Sequence, residues 1–255
     1  MGTSHTHALH VHGHSVVHRL PSETKIVAAM TFMAAVALTP AGAGIAFAID
    51  ALAVLGVAAL ASIPPTFVAR RALVALPFLI ATVFLPFVSS GERTEVLGIA
   101  VSAVGLEAAG GIAAKALLGT LTAIVLTATT EAPELLRGLR RLRVPATLVA
   151  IAGFALRYLD TLANQLTNMR IAMTSRGYEP RGIWNARPVA NSAGTLFVRS
   201  YEQGERAHQA MVSRGFTGSM PDTDHRAATA TDWLRAASIP LLAVTALILA
   251  LWQSW

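Results

Sequence analysis

Two seven-residue stretches repeat one another 38 positions apart: Ala172-Met173-Thr174-Ser175-Arg176-Gly177-Tyr178 and Ala210-Met211-Val212-Ser213-Arg214-Gly215-Phe216. Each follows a run with helical spacing of its apolar residues. Glycine after a last helical turn supplies the left-handed residue that ends a helix, and an arginine there complements the negative end of the helix dipole. A helix stop accounts for one copy. Two near-identical copies point further, to two equivalent docking points. Arginine presents a rigid, planar fork of donors that matches carboxylates on a partner.

Other groups with chemical potential are scattered. His5, His7, His10, His12, His14 and His18 crowd the first 18 residues. They read either as a polar tail or as a weak site for Co²⁺, Ni²⁺ or Zn²⁺. Asp50 is the one ionisable residue between Ile26 and Ala69, and an acid in so apolar a run is a functional candidate or a helix-paired structural group. Glu107 and Lys115, two helical turns apart, read as a structural pair. Gly105 and Gly110 have phosphate-loop spacing, but Gly111-Ile112 stands where Lys-Ser/Thr is required, so they read as close-packing glycines. His208 and His225 are isolated. No Ser–His–Asp set, paired carboxylates or metalloprotease motif assembles. No residue is assigned as catalytic or as a metal or cofactor ligand.

The elements that must position the two arginines follow from composition. The chain has 255 residues, of which 54% are hydrophobic and 13% charged, with no cysteine. A soluble domain carries about 25% charged residues. Such a chain belongs in a membrane, and without cysteine it has neither disulfides nor thiolate metal sites. Apolar runs predict spans at 26–39, 44–61, 72–88, 112–130 and 236–252. The stretch 96–111 reads as an extension of the fourth helix, a re-entrant piece or a separate span. Arg19, Lys25, Arg70 and Arg71 flank the spans on one side, which the positive-inside bias places in the cytoplasm together with the amino terminus. The expected fold is all-α: a polytopic membrane protein of about five transmembrane helices, four and then one.

The domains expected are a His-rich cytoplasmic tail (1–25), a first transmembrane group (26–130), cytoplasmic coupling helices (131–235) and a last transmembrane helix (236–255). The segment 131–235 holds 14 of the 20 basic residues. Membrane lipid is a natural partner for that basic surface, and no nucleic-acid module pattern is present. Within it, Leu148, Ile151, Ala155, Leu159, Leu162, Leu166, Met169 and Met173 recur every three or four residues, opposite Arg157, Asp160, Asn164, Gln165 and Asn168. That is an amphipathic helix over about 145–175. A second helix over about 195–214 carries Glu202 and Arg206 in the favourable order.

With these residues in place, the sequence resembles the transmembrane coupling (T) component of energy-coupling factor (ECF) transporters, in particular its cobalt-type, CbiQ-like members. The resemblance rests on the paired motif, on His18–Pro21 before the first span and on Thr130-Glu131-Ala132-Pro133-Glu134-Leu135-Leu136 after the fourth. Leu196-Phe197-Val198-Arg199-Ser200-Tyr201-Glu202 and Ser219-Met220-Pro221 add to it. In that family two short motifs, usually Ala-Arg-Gly, end the coupling helices, and their arginines dock into grooves of two ATP-binding subunits. Here Ser175 and Ser213 replace the alanine, leaving Arg176-Gly177 and Arg214-Gly215 aligned.

The resemblance implies a non-catalytic subunit of an ATP-driven importer in the bacterial inner (plasma) membrane. Its partners would be two ATP-binding cassette subunits, which bind the ATP, and a substrate-binding (S) membrane subunit, with a small accessory membrane subunit allowed. Cobalt uptake for cobalamin biosynthesis is the expected task. Nickel, biotin or shared-vitamin transport is the alternative, and a stand-alone secondary transporter or a membrane-embedded enzyme stands further off. The histidine tail would then buffer delivered metal. Deleting residues 2–17 tests this: buffering predicts altered cobalt binding and radioactive cobalt uptake, and unchanged values for both would contradict it.

Overall fold

A computed structural model describes residues 15–89, 93–96, 99–178, 187–218 and 228–253. The chain divides into two compact units, one joining Leu9–Leu142 to Arg226–Trp255 and the other containing Arg143–His225.

The first unit is the apolar one. A short helix α1 (Val16–Arg19) precedes α2 (Ser22–Leu38), which starts after Pro21 and stops before Pro40. Helix α3 (Gly44–Leu60) follows the Pro40–Gly44 turn. Its buried residues Ala46, Phe47, Asp50, Val54 and Ala58 recur at helical spacing and form one stripe. Next come α4 (Pro65–Ala72), a 3₁₀ turn (Leu73–Ala75) and α5 (Leu76–Val88), forming a 24-residue helical run, Pro65–Val88. This third span therefore starts earlier than residue 72, because Pro65 is accommodated in the first turn, where a missing N–H costs nothing.

A two-stranded antiparallel hairpin, β1 (Arg93–Val96) and β2 (Ile99–Ser102), separates α5 from α6 (Ala103–Thr129). The ambiguous stretch 96–111 is thus partly hairpin and partly an extension of the fourth helix. Valine and isoleucine favour the strands, and the Ser102 hydroxyl accepts from Gly105 N–H at 3.3 Å to start α6. Helix α7 (Ala132–Arg141) packs on α2, so it groups with the spans rather than with the segment that follows it. Helix α10 (Ala230–Gln253) begins with the Asp232 carboxylate reaching back, its Oδ2 accepting from Thr229 N–H and the Thr229 hydroxyl at 3.1 and 2.7 Å.

The core of this unit joins Phe32 of α2, Val54 of α3, Leu118 and Val125 of α6 and Ala243 of α10. Two glycines permit close approach. A side chain at Gly105 would collide with the Pro86 backbone, and one at Gly111 with Ala41. Gly110 faces open space, so of the two glycines read as close-packing only Gly105 has that role, and Gly111 takes the second close contact. The outer surface is apolar too: Leu52 is 72% and Val88 83% exposed. Apolar residues outside as well as inside are what a lipid solvent allows. The helices Pro65–Val88, Ala103–Thr129 and Ala230–Trp252 are long and apolar enough to cross a membrane, α3 is a shorter apolar helix of 17 residues, and α2 has the same length but opens with Ser22-Glu23-Thr24-Lys25.

The second unit holds α8 (Ala146–Ser175) and α9 (Arg187–Val212), which touch where the Ser192 hydroxyl donates to Met173 Sδ at 3.3 Å. Helix α8 is also long and apolar enough to cross a membrane, although its mean hydropathy of 1.4 is below the 2.1 of the Pro65–Val88 and Ala230–Trp252 helices. None of its residues is buried, and Leu148, Ile151, Leu159 and Leu166 of its apolar stripe are exposed.

At the start of α2, charge is buried. Glu23 is 5% exposed and accepts from Arg141 Nη1 at 3.1 and 3.3 Å and from Ala228 N–H at 3.1 Å. Replacing Glu23 with Ala strands these donors. Since hydrogen bonds to charged groups are worth about 1.5–3 kcal/mol, E23A is expected to destabilise the protein by about 2–3 kcal/mol. E23Q, which keeps one acceptor oxygen, should cost less. Thermal unfolding in detergent followed by circular dichroism checks the order.

Candidate functional site

The two repeated stretches form the same structure. Gly177 follows α8 with φ +79°, Tyr178 N–H donates to Met173 O at 3.1 Å, and Gly177 N–H donates to Thr174 O at 3.0 Å. Gly215 follows α9 with φ +83°, Phe216 N–H donates to Met211 O at 3.0 Å, and Gly215 N–H donates to Val212 O at 2.9 Å. Both are Schellman ends, whose six-to-one and five-to-two bonds satisfy the last free carbonyls of the helix.

This geometry explains much of the repeat. Glycine is required at the left-handed position. The methionine and the aromatic residue occupy the two positions between which a Schellman end commonly makes an apolar contact. The shared Met and aromatic therefore belong to the helix stop itself, a local role that the bare sequence comparison did not assign them.

The serines also turn inward: Ser175 Oγ donates to Ile171 O at 3.0 Å and Ser213 Oγ to Ala210 O at 3.1 Å. Serine in place of alanine thus adds no outward donor. What the local fold leaves unused is the arginine. Arg176 and Arg214 are exposed, and neither makes an ion pair with a described residue. Each guanidinium stands where carbonyls concentrate negative partial charge, on a helix end fixed by a glycine. The arrangement suits recognition of an anionic groove and provides no nucleophile or proton-transfer pair. On α9, the expected Glu202–Arg206 pair forms at 3.6 Å across an exposed surface, where its energetic weight is small.

The remaining candidates separate. Lys115 and Glu107 do not pair. Lys115 Nζ donates to Ala37 O at 2.8 Å, and the Glu107 carboxylate lies against Gly42, so both close on the α2–α3 turn instead. Asp50 is 1% exposed, and neither carboxylate oxygen has a hydrogen-bond partner. His208 is exposed. His5, His7, His10, His12, His14 and His225 lie outside the described residues, while His18 Nδ1 is 2.8 Å from Ser15 Oγ. Among the described residues, no three His, Cys, Asp or Glu side chains gather as a metal site.

Sequence reasoning missed a polar knot at one end of the apolar unit. Lys25, read only as a flanking charge, is 7% exposed and donates to Thr129 O at 2.9 Å, His18 O at 3.2 Å and Thr130 Oγ1 at 3.2 Å. Its neighbour Glu23 binds Arg141, which is 118 residues away in sequence. The knot brings together two stretches already singled out, the one around His18–Pro21 and the one starting at Thr130. Charges directly beside an apolar run were the available signal, although nothing in the spacing named their partners.

The family described as CbiQ, cobalt transport protein, matches residues 13–224. The cobalt transport protein CbiQ of Rhodobacter capsulatus is 32% identical over 163 residues, which is 61% of this chain and 66% of that protein. The match thus spans a little under two thirds of that relative's length. The energy-coupling factor transporter transmembrane protein EcfT of Listeria innocua is 26% identical over 85% of this chain and 86% of its own. The protein of the same name from Bacillus subtilis is 25% identical over 94% and 95%.

Proposed function

The chain belongs to the CbiQ family of cobalt transport proteins, the T components of ECF transporters, and on that footing we propose that it couples ATP-driven motion to substrate release. The observation that carries this reading is the pair of identical helix ends, each holding an exposed arginine without an ion-pair partner among the described residues.

In the proposed mechanism, two ATP-binding cassette subunits each receive one arginine in a groove lined by carboxylates. The bidentate fork fixes orientation, and exclusion of water strengthens the contact. When ATP draws the two grooves together, Arg176 and Arg214 carry the displacement into α8 and α9. A helix held by its own backbone bonds transmits such a push along its length. The uncovered apolar stripe of α8, Leu148 to Leu166, supports a partner surface for a substrate-binding membrane subunit, since exposed stripes of this kind mark interaction faces. ATP hydrolysis belongs to the cassette subunits, and this chain supplies no catalytic group or resident cofactor.

The charge pattern supports a plasma-membrane protein with its amino terminus and its α8–α9 unit in the cytoplasm. The cargo is proposed as Co²⁺ for cobalamin biosynthesis, on the strength of the family description and of the CbiQ relative.

Replacing both arginines with glutamate reverses the charge at each end without touching a span. R176E/R214E should insert normally yet lose co-purification with the cassette subunits and lose cobalt uptake. Each single variant should keep part of both, because truncating one partner of a buried charge pair costs about 2–5 kcal/mol and the second site persists. Full co-purification of the double variant would contradict the docking role.

A further inference from the structure

A half-open cleft of about 340 Å³ lies within the apolar unit, between α2, α3, α6 and α10, with α1 along one edge. Its walls are almost wholly apolar, with Phe32, Val54, Val57, Val125 and Ile239 among them. Two cations, Lys25 and Arg235, also line it. Their places in the helices define an axis. Lys25 is in the first turns of α2 and Arg235 in those of α10, while Leu60 and Thr129, also lining residues, end α3 and α6. All four mark one end of the bundle. Phe32, Val54 and Thr122 each lie six or seven residues further in. At 1.5 Å per residue the cleft therefore reaches about 10 Å from a charged mouth into an apolar interior.

The two cations are not equivalent. Lys25 has its three donors committed to His18, Thr129 and Thr130, so it offers charge alone. Arg235 is exposed and has no ion-pair partner among the described residues, so its guanidinium fork is free to bind. Two residues earlier, the exposed Trp233 is of the type that settles at the membrane–water boundary. A cationic rim at headgroup level above an apolar slot matches an anionic amphiphile in charge and shape. A helix, about 10–12 Å across, is too wide for it. The volume falls within the roughly 300–1,000 Å³ of small-ligand pockets.

We propose that this cleft binds one anionic phospholipid, with an acyl chain between Phe32, Val54, Val57 and Val125 and the phosphate on the Arg235 guanidinium. The lipid fills the cleft enclosed by α2, α3, α6 and α10 at the end where Glu23 and Lys25 are buried. This site is separate from the arginine motifs of α8 and α9, so its test does not depend on the coupling reading.

The full-length chain, purified in detergent, is equilibrated with phosphatidylglycerol or with phosphatidylcholine of the same acyl length and examined by native mass spectrometry. One retained lipid per chain is expected, favouring phosphatidylglycerol about fivefold, the size expected for one basic residue against an anionic lipid. R235A should remove the preference while leaving the helical circular dichroism unchanged. V57W, which fills the slot, should expel both lipids, and V57F serves the same purpose if V57W does not insert. Equal retention of the two lipids by the unaltered chain would overturn the proposal, as would a preference that survives R235A. Retention by the slot-filled variant would overturn the place given to the chain.

Discussion

A bare ammonium or carboxylate is costly in a bilayer, and the way Glu23 and Lys25 are satisfied organises the apolar unit around them. Lys25 spends its three donors on the carbonyls of His18 and Thr129 and on the Thr130 hydroxyl. That single group joins α1, the start of α2 and the corner between α6 and α7. Glu23 takes up Arg141 at the far end of α7 and the Ala228 amide just before α10. Close approach makes this possible, since a side chain at Gly138 of α7 would meet Ser22, Glu23 and Ile26. The places where the chain leaves and re-enters the apolar unit are therefore held by one buried cluster, and everything between them is a separate compact unit.

The segregation of charge continues outside that cluster. The spans carry few charges: Lys115 is satisfied on Ala37 O, whereas Asp50 is buried in the α3 stripe with neither carboxylate oxygen hydrogen-bonded. Most of the arginine lies between the fourth and last spans. There, two helices finish in the same left-handed glycine turn and leave a guanidinium outward. A glycine that admits the turn, two backbone hydrogen bonds that close it and a cation at the negative end of the dipole produce a fixed charged tip from seven residues. In the proposed coupling, two such tips would give a bivalent contact, the second docking event being intramolecular once the first has formed.

Much of this was legible in the sequence. The helices at the five apolar runs, the helical stretch 145–175 and the paired helix ends follow from apolar runs, from spacing and from Gly177 and Gly215. Three things were not. The hairpin pairs a polar strand, Arg93–Val96, with a short apolar one, Ile99–Ser102, and so short an apolar run reads equally as helix or strand. The partners of Glu23 and Lys25 lie more than a hundred residues away, beyond any local periodicity. Glu107 and Lys115 share a helix at a suggestive spacing, yet each found a backbone or turn partner on the α2–α3 connection. The sequence signal for the motif was also stronger than its meaning. Met173, Met211, Tyr178 and Phe216 occupy the positions that a helix end of this kind favours for apolar residues, which leaves the arginines for a partner.

The central claim is that the two arginine-tipped helix ends move together when the cassette subunits close. Because the chain has no cysteine, labels at Thr174→Cys and Val212→Cys are unique, and both positions are exposed beside the motifs. The decisive measurement is the distance between spin labels at 174 and 212 by pulsed electron paramagnetic resonance, in the assembled transporter with and without ATP. Coupling predicts a distribution that shifts to shorter distances on ATP binding and returns after hydrolysis. An unchanged distribution in a complex that hydrolyses ATP and transports its cargo would contradict it.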